Sequence, residues 1–216
     1  TGGAVCIMLM LSGQNVWVSM AGATAAGMAA GLATGILHTF MGIPAILAGI
    51  LTQLGLYSIN LKTMGKANQA INVDKFDLLV SLRFIRKVPF YKNTILIVAI
   101  AIIILIAILY WFFGTELGCS LRATGCNDKM ARAQGINTDL SRVLGLMISN
   151  GLVALSGAML CQYQGFADIN MGRGAIVIGL AAVIIGEAIF GKIFRNFGLK
   201  LLGVALGSII YYLVLQ

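Results

Sequence analysis

Few residues in this sequence are equipped for covalent chemistry. Its 216 residues include one histidine, His38, and seven acids. The four cysteines, Cys6, Cys119, Cys126 and Cys161, lack the paired spacing from which zinc sites are built. No Gly-x-x-x-x-Gly-Lys-Ser/Thr phosphate cradle occurs, so the chain is not expected to hydrolyse ATP itself. The expectation is therefore no catalytic residue, no metal and no cofactor held by this chain. Three of the cysteines read as small apolar packing residues, with Cys119 and Cys126 expected to stay reduced rather than pair. The ten methionines are spread through apolar segments, where a flexible thioether packs.

What remains is a handful of polar groups in apolar surroundings. Glu187 is the lone acid of an apolar stretch, where an ionisable group is costly and usually faces a bundle interior or water. It is a candidate for a translocation path, against pairing with Lys192 or Arg195 near a membrane edge or holding a helix junction. Asn150, with Ser149 and Ser156, is a second candidate, set against ordinary hydrogen bonding between helices. Asp168 is a third, set against capping the segment that follows it. His38 stands beside Thr39 at the end of an apolar run and reads as interfacial.

The elements that must position these groups are long and apolar. The composition is 59% apolar and 10% charged, against about 25% charged in soluble domains. The stretches 1–61, 93–114, 143–167, 174–186 and 201–216 carry no Asp, Glu, Lys or Arg. A membrane-spanning helix needs roughly 20 predominantly apolar residues. Spans are expected at 16–37, 43–60, 93–113, 143–162, 174–194 and 199–216, with 3–11 too short to cross alone. The fold class is all-α, a polytopic bundle of about six spans. Gly27, Gly31 and Gly35 fall on one helical face, as do Gly203 and Gly207, and small residues let helices approach closely. Both ends are still apolar and look cut.

The net charge of +8 does not point to nucleic acid, because the basic residues lie in the connections between apolar runs, where they anchor to lipid headgroups. Orientation cannot be read from them. Eight Lys/Arg fall on the side of the 61–92 connection and seven on the side of the 114–142 connection. In the second connection, Asn127 or Asp128 can cap a short helix over Lys129 to Gln134, and Gly135 can end it. Such a helix fits a groove of a partner, or simply links two spans.

That connection, with its Arg122-Ala123-Thr124-Gly125, Asn127, Ala131-Arg132 and Gly135-Ile136-Asn137, resembles the coupling-helix loop of ABC importer permeases of the branched-chain amino acid and ribose class. The run from Ser149 to Ala158 is similar to that class as well. The stretches Gly31 to Asn60, Gln164 to Gly172 and Ile184 to Gly191 resemble a subgroup assigned to tryptophan and tyrosine uptake. The resemblance covers nearly the whole chain and implies a fold like that of type II ABC importer permeases, as a single transmembrane domain in a bacterial cytoplasmic membrane. It also implies that 114–142 is cytoplasmic, with Arg122, Ala123, Gly125, Asn127, Asp128, Lys129, Ala131, Arg132 and Gly135 forming the ATPase-coupling element. The partners it implies are cytoplasmic ATPase subunits that use ATP and magnesium, an extracytoplasmic solute-binding protein and a second permease copy, in a homodimer. The rival classes are a secondary transporter driven by an ion gradient, and a channel or membrane enzyme. The substrate is not legible.

Overall fold

The computed structural model describes residues 1–70, 94–172, 175–191 and 196–215. The connection at 71–93, Arg173, and the Lys192 and Arg195 weighed as partners of Glu187 lie outside the described residues. Nine described helices and one pair of short strands follow in the order α1 (Gly2–Leu11), α2 (Val16–Thr39), α3 (Ala45–Met64), β1 (Asn68–Ala70), α4 (Thr94–Phe113), α5 (Glu116–Cys126), α6 (Asp128–Ala133), α7 (Thr138–Gln164), β2 (Phe166–Asp168), α8 (Ala175–Phe190) and α9 (Phe197–Leu215). Within α2, α3, α4, α7 and α9 lie five helices long and apolar enough to cross a membrane, with α1 and α8 shorter and apolar. The all-α, multi-pass expectation of about six spans stands. The expected span at 174–194 is described as a helix only over Ala175–Phe190, roughly 24 Å at the α-helical rise.

The chain forms two compact units. The first holds residues 1–98 and 116–169, and the second holds 99–115 and 170–216. The centre of the first is α1, whose Cys6, Ile7 and Met10 are fully buried and cluster with Ala23, Met64, Ala158, Cys161 and Ala167. A ten-residue helix makes only a marginal helix in water, so α1 depends on the helices that enclose it. Asn60 on α3 donates to the Thr1 hydroxyl at 3.1 Å, and the Thr34 hydroxyl on α2 donates to that of Thr52 on α3 at 3.0 Å. The turn from α2 to α3 passes through Gly42 at φ +67°, and the Nδ1–H of His38 donates across it to the Ile43 carbonyl at 2.8 Å.

The seam between α2 and α7 is built on absent side chains. A Cβ on Gly27 would lie 2.7 Å from the Asn150 carbonyl oxygen, one on Gly31 2.7 Å from the Met147 Cα, and one on Gly35 3.1 Å from the Val143 Cα. As the α2 numbers rise the α7 numbers fall, so the helices run antiparallel with backbones in contact. In the second unit the same device joins α8 to α9. A Cβ on Gly207 would meet the Gly186 backbone nitrogen at 2.6 Å, and one on Gly186 would meet the Gly203 carbonyl oxygen at 2.6 Å. There Phe113 also stacks edge-on against Phe197, with ring centroids 5.0 Å apart. A two-stranded antiparallel ribbon, absent from the sequence reading, pairs Asn68 with Asp168 and Ala70 with Phe166.

Candidate coupling site

The polar connection at 114–142 is more helical than its charges suggest. Instead of one short helix it holds α5, α6 and the first turns of α7. Glu116 sits in the first turn of α5, where a negative charge is favoured. The Ser120 and Thr124 hydroxyls satisfy themselves on the carbonyls four residues back, at 2.9 and 2.8 Å. Asn127 ends one helix and starts the next, its side-chain oxygen accepting from the Met130 amide at 3.1 Å. Asn137 repeats the device for α7, accepting from the Leu140 amide at 3.1 Å. Between the caps, Gly135 takes φ +82°, a left-handed conformation open to glycine at little cost. Capping moves the start of α7 back from the expected residue 143 to Thr138. The hydropathy edge was mistaken for the helix edge.

Charges then tie α6 to α7. Arg132 donates to the Thr138 hydroxyl through Nη2 at 2.8 Å and Nε at 3.2 Å, and its Nη2 reaches Asp139 at 3.1 Å. In the opposite sense, Arg142 on α7 reaches Asp128 on α6 at 2.6 Å and lies 3.7 Å from Asp139. The other Asp128 oxygen, Oδ1, is buried and has no hydrogen-bond partner among the described residues. Ala131 is 3% exposed and faces inward, whereas Met130 is 61% exposed and Lys129 is also outward. Of the residues assigned to the coupling element, Arg122, Ala123 and Gly125 therefore belong to α5. Asp128, Lys129, Ala131 and Arg132 belong to α6, and Ala131 is a foot of that helix rather than part of its outer face. Sequence reasoning missed Thr138, Asp139 and Arg142 as members of this cluster. The alternating signs of Asp128, Arg132, Asp139 and Arg142, at helical spacings, were the available signal.

Of the path candidates, Asn150 and Asp168 belong to the first unit and Glu187 to the second. Asn150 donates to the Leu146 carbonyl of its own helix at 2.9 Å, which corrects the expectation of a bond between helices. The close contact with Gly27 is made by its backbone. Asp168 lies in β2 rather than at the start of a helix. In the second unit, Glu187 lines a cavity of about 170 Å³ between α8 and α9, with Val183, Phe190, Lys200 and Val204. Lys200 lines the same cavity, a residue that the sequence reading did not weigh against Glu187. Two cysteines rather than three are packing residues. Cys6 and Cys161 are buried, while Cys119 and Cys126 are exposed on α5. Among the described residues no group of three or more His, Cys, Asp or Glu could hold a metal ion.

A family model described as the permease component of branched-chain amino acid transport systems matches residues 1–216. A tyrosine transport system permease protein of Clostridioides difficile is 38% identical over 97% of this chain and 67% of its own length. An uncharacterized protein of Rickettsia prowazekii is 38% identical over 80% of this chain and 59% of its own. The LsrC permease of an autoinducer 2 import system in Yersinia pestis is 32% identical over 83% of this chain and 49% of its own. The chain thus spans between about half and two thirds of the length of these relatives. No solved structure matches.

Proposed function

The chain belongs to the family of permease components of branched-chain amino acid transport systems, and we propose that it forms the membrane path of an ATP-driven importer for a small solute. The observation that carries this reading is α6. It is a six-residue helix, capped at its start, ended by a left-handed glycine, and fastened by ion pairs to the first turns of a membrane-length helix. Its outer face presents Lys129 and Met130. In this reading the chain supplies no energy source of its own. The reading therefore puts ATP binding and hydrolysis in a separate subunit whose groove grips α6, and puts α6 on the cytoplasmic side of a bacterial inner membrane. A solute-binding protein on the other side and a second permease copy complete the assembly in this reading.

An amino acid, and an aromatic one, is the solute that the named function of the Clostridioides relative favours. The Yersinia relative, named for autoinducer 2, marks how far solutes diverge among similar permeases. The path would run at the interface of the permease pair, with Glu187 a candidate to line it. The test is uptake of radiolabelled tyrosine by cells carrying the full system, against cells in which the partner ATPase has lost its catalytic glutamate. Uptake confined to the intact system is expected. Uptake that persists with the dead ATPase, and collapses when the ion gradient is dissipated, would replace the reading with a secondary transporter that uses Glu187.

A further inference from the structure

We propose that Asp128 and Arg142 form a strut that fixes the angle of α6 on α7, so that a movement of α6 becomes a rotation of α7 instead of a local pivot. The inference rests on the importer reading for its functional consequence, but its mechanical content stands on geometry alone. A helix of six residues has little stability of its own, and its orientation must come from what holds it. Two attachments do so, and they sit at opposite ends. Near its C-terminus, Arg132 crosses to Thr138 and Asp139. At its first residue, Asp128 receives Arg142. Ala131, between them in the helix, is buried.

One attachment alone would leave α6 free to swing about it. The second removes that freedom. The two pairs also cross, each helix supplying one arginine and one aspartate, and Asp139 lies within reach of both arginines. The pairing of Asp128 is the less replaceable of the two. Its Oδ2 is taken by Arg142 and its Oδ1 has no hydrogen-bond partner among the described residues, so Arg142 is the one side-chain partner they give it. Arg132, by contrast, has the Thr138 hydroxyl as well as a carboxylate. Ion pairs this exposed add little to overall stability, which leaves orientation as what the strut contributes. Asp128 and Arg142 are positioning residues and need touch neither solute nor nucleotide.

The test uses the full-length permease, with Asp128→Asn and Arg142→Gln made singly and together, and Arg142→Lys as the conservative variant. Nitroxide labels at Lys129 and Val153, in a background with Cys119 and Cys126 changed to serine, report the angle of α6 on α7 by pulsed electron resonance. A narrow distance distribution is expected for the unmodified pair and for Arg142→Lys, and a broadened one for the other variants. In proteoliposomes with the ATPase, solute moved per ATP hydrolysed is expected to fall about fivefold or more in the double variant, the lower end of ordinary coupling between sites. The amount of ATPase that co-purifies with the Arg142→Gln variant should stay unchanged. An unbroadened distribution, unchanged transport per ATP, or loss of the co-purifying ATPase would each overturn the strut. Absence of ATP-dependent transport in the unmodified protein would instead overturn the importer reading, and the distance distributions would still decide the mechanical claim.

Discussion

Replacing Gly31 and Gly49 by alanine should have opposite consequences, although both are helical glycines in apolar segments. At Gly31 the new Cβ would press on the Leu146 carbonyl oxygen and lie 2.7 Å from the Met147 Cα and 2.9 Å from the Leu146 carbonyl carbon. Carbon atoms in good contact sit about 3.5–4.0 Å apart, so the two backbones must separate by about 1 Å. The obstacle is backbone, which cannot rotate away as a side chain would. Overpacking of this kind costs about 1–3 kcal/mol. At Gly49 no atom of the described residues lies within 4 Å of the added atom, and alanine keeps only its gain in helix propensity, about 1 kcal/mol by measurements in water. Because that gain applies equally to both positions, the difference between the two variants isolates the packing cost. Thermal unfolding in detergent, followed by tryptophan fluorescence, should place the Gly31→Ala midpoint several degrees below that of Gly49→Ala, at about 2–4 °C per kcal/mol for a chain of this size. Equal midpoints would refute the close antiparallel seam between α2 and α7.

Thiol chemistry should separate the cysteines. Maleimide is expected to label Cys119 and Cys126 in the folded protein while Cys6 and Cys161 react only after unfolding, and equal rates at all four would contradict the burial of α1. A cysteine at Met130 should label quickly and one at Ala131 slowly, because the first is 61% exposed and the second 3%; the reverse order would mean that α6 is rotated on its axis. Asn127→Ala removes the side-chain oxygen that accepts from the Met130 amide, a loss of about 1 kcal/mol in typical caps. It should raise amide hydrogen exchange through α6 while leaving the middle of α7 protected.

The membrane helices were legible because their signal is redundant. Many consecutive apolar residues can be misjudged one at a time without hiding a span, as α4 and α9 illustrate. The glycine stripes were legible for a related reason: a four-residue period reports a shared face whatever lies opposite. The identity of that opposite surface was not, since nothing local in Gly31 encodes Met147. The boundaries failed where charge and helix coexist. Thr138 to Arg142 looked like loop because hydropathy registers their charges, whereas Asn137 caps them and their own ion pairs hold them helical. The ribbon between Asn68–Ala70 and Phe166–Asp168 was invisible for another reason. Its three-residue strands carry no periodicity, and their pairing joins positions almost a hundred residues apart.

Within the first unit, α7 is held in two physically different ways, and the difference bears on how it can move. Through its middle it meets α2 by backbone contact at Gly27, Gly31 and Gly35, and its Ala154 and Gly157 meet α1 at Gly2 and Gly3. These contacts are made largely by backbone and by small side chains, which leaves little room to absorb a push on α7 locally. Close-packed surfaces transmit strain or switch between discrete arrangements. At its start α7 meets α6 through charged groups that are partly open to water, and these can break and re-form at small cost. A force arriving at α6 therefore crosses the weaker joint first. If the strut between Asp128 and Arg142 holds, α1, α2 and α7 must move together. If it gives, the motion ends in the turn at Gly135. The stiffness of one ion pair, and not that of the apolar bundle behind it, then sets whether a movement of α6 reaches α1, α2 and α7.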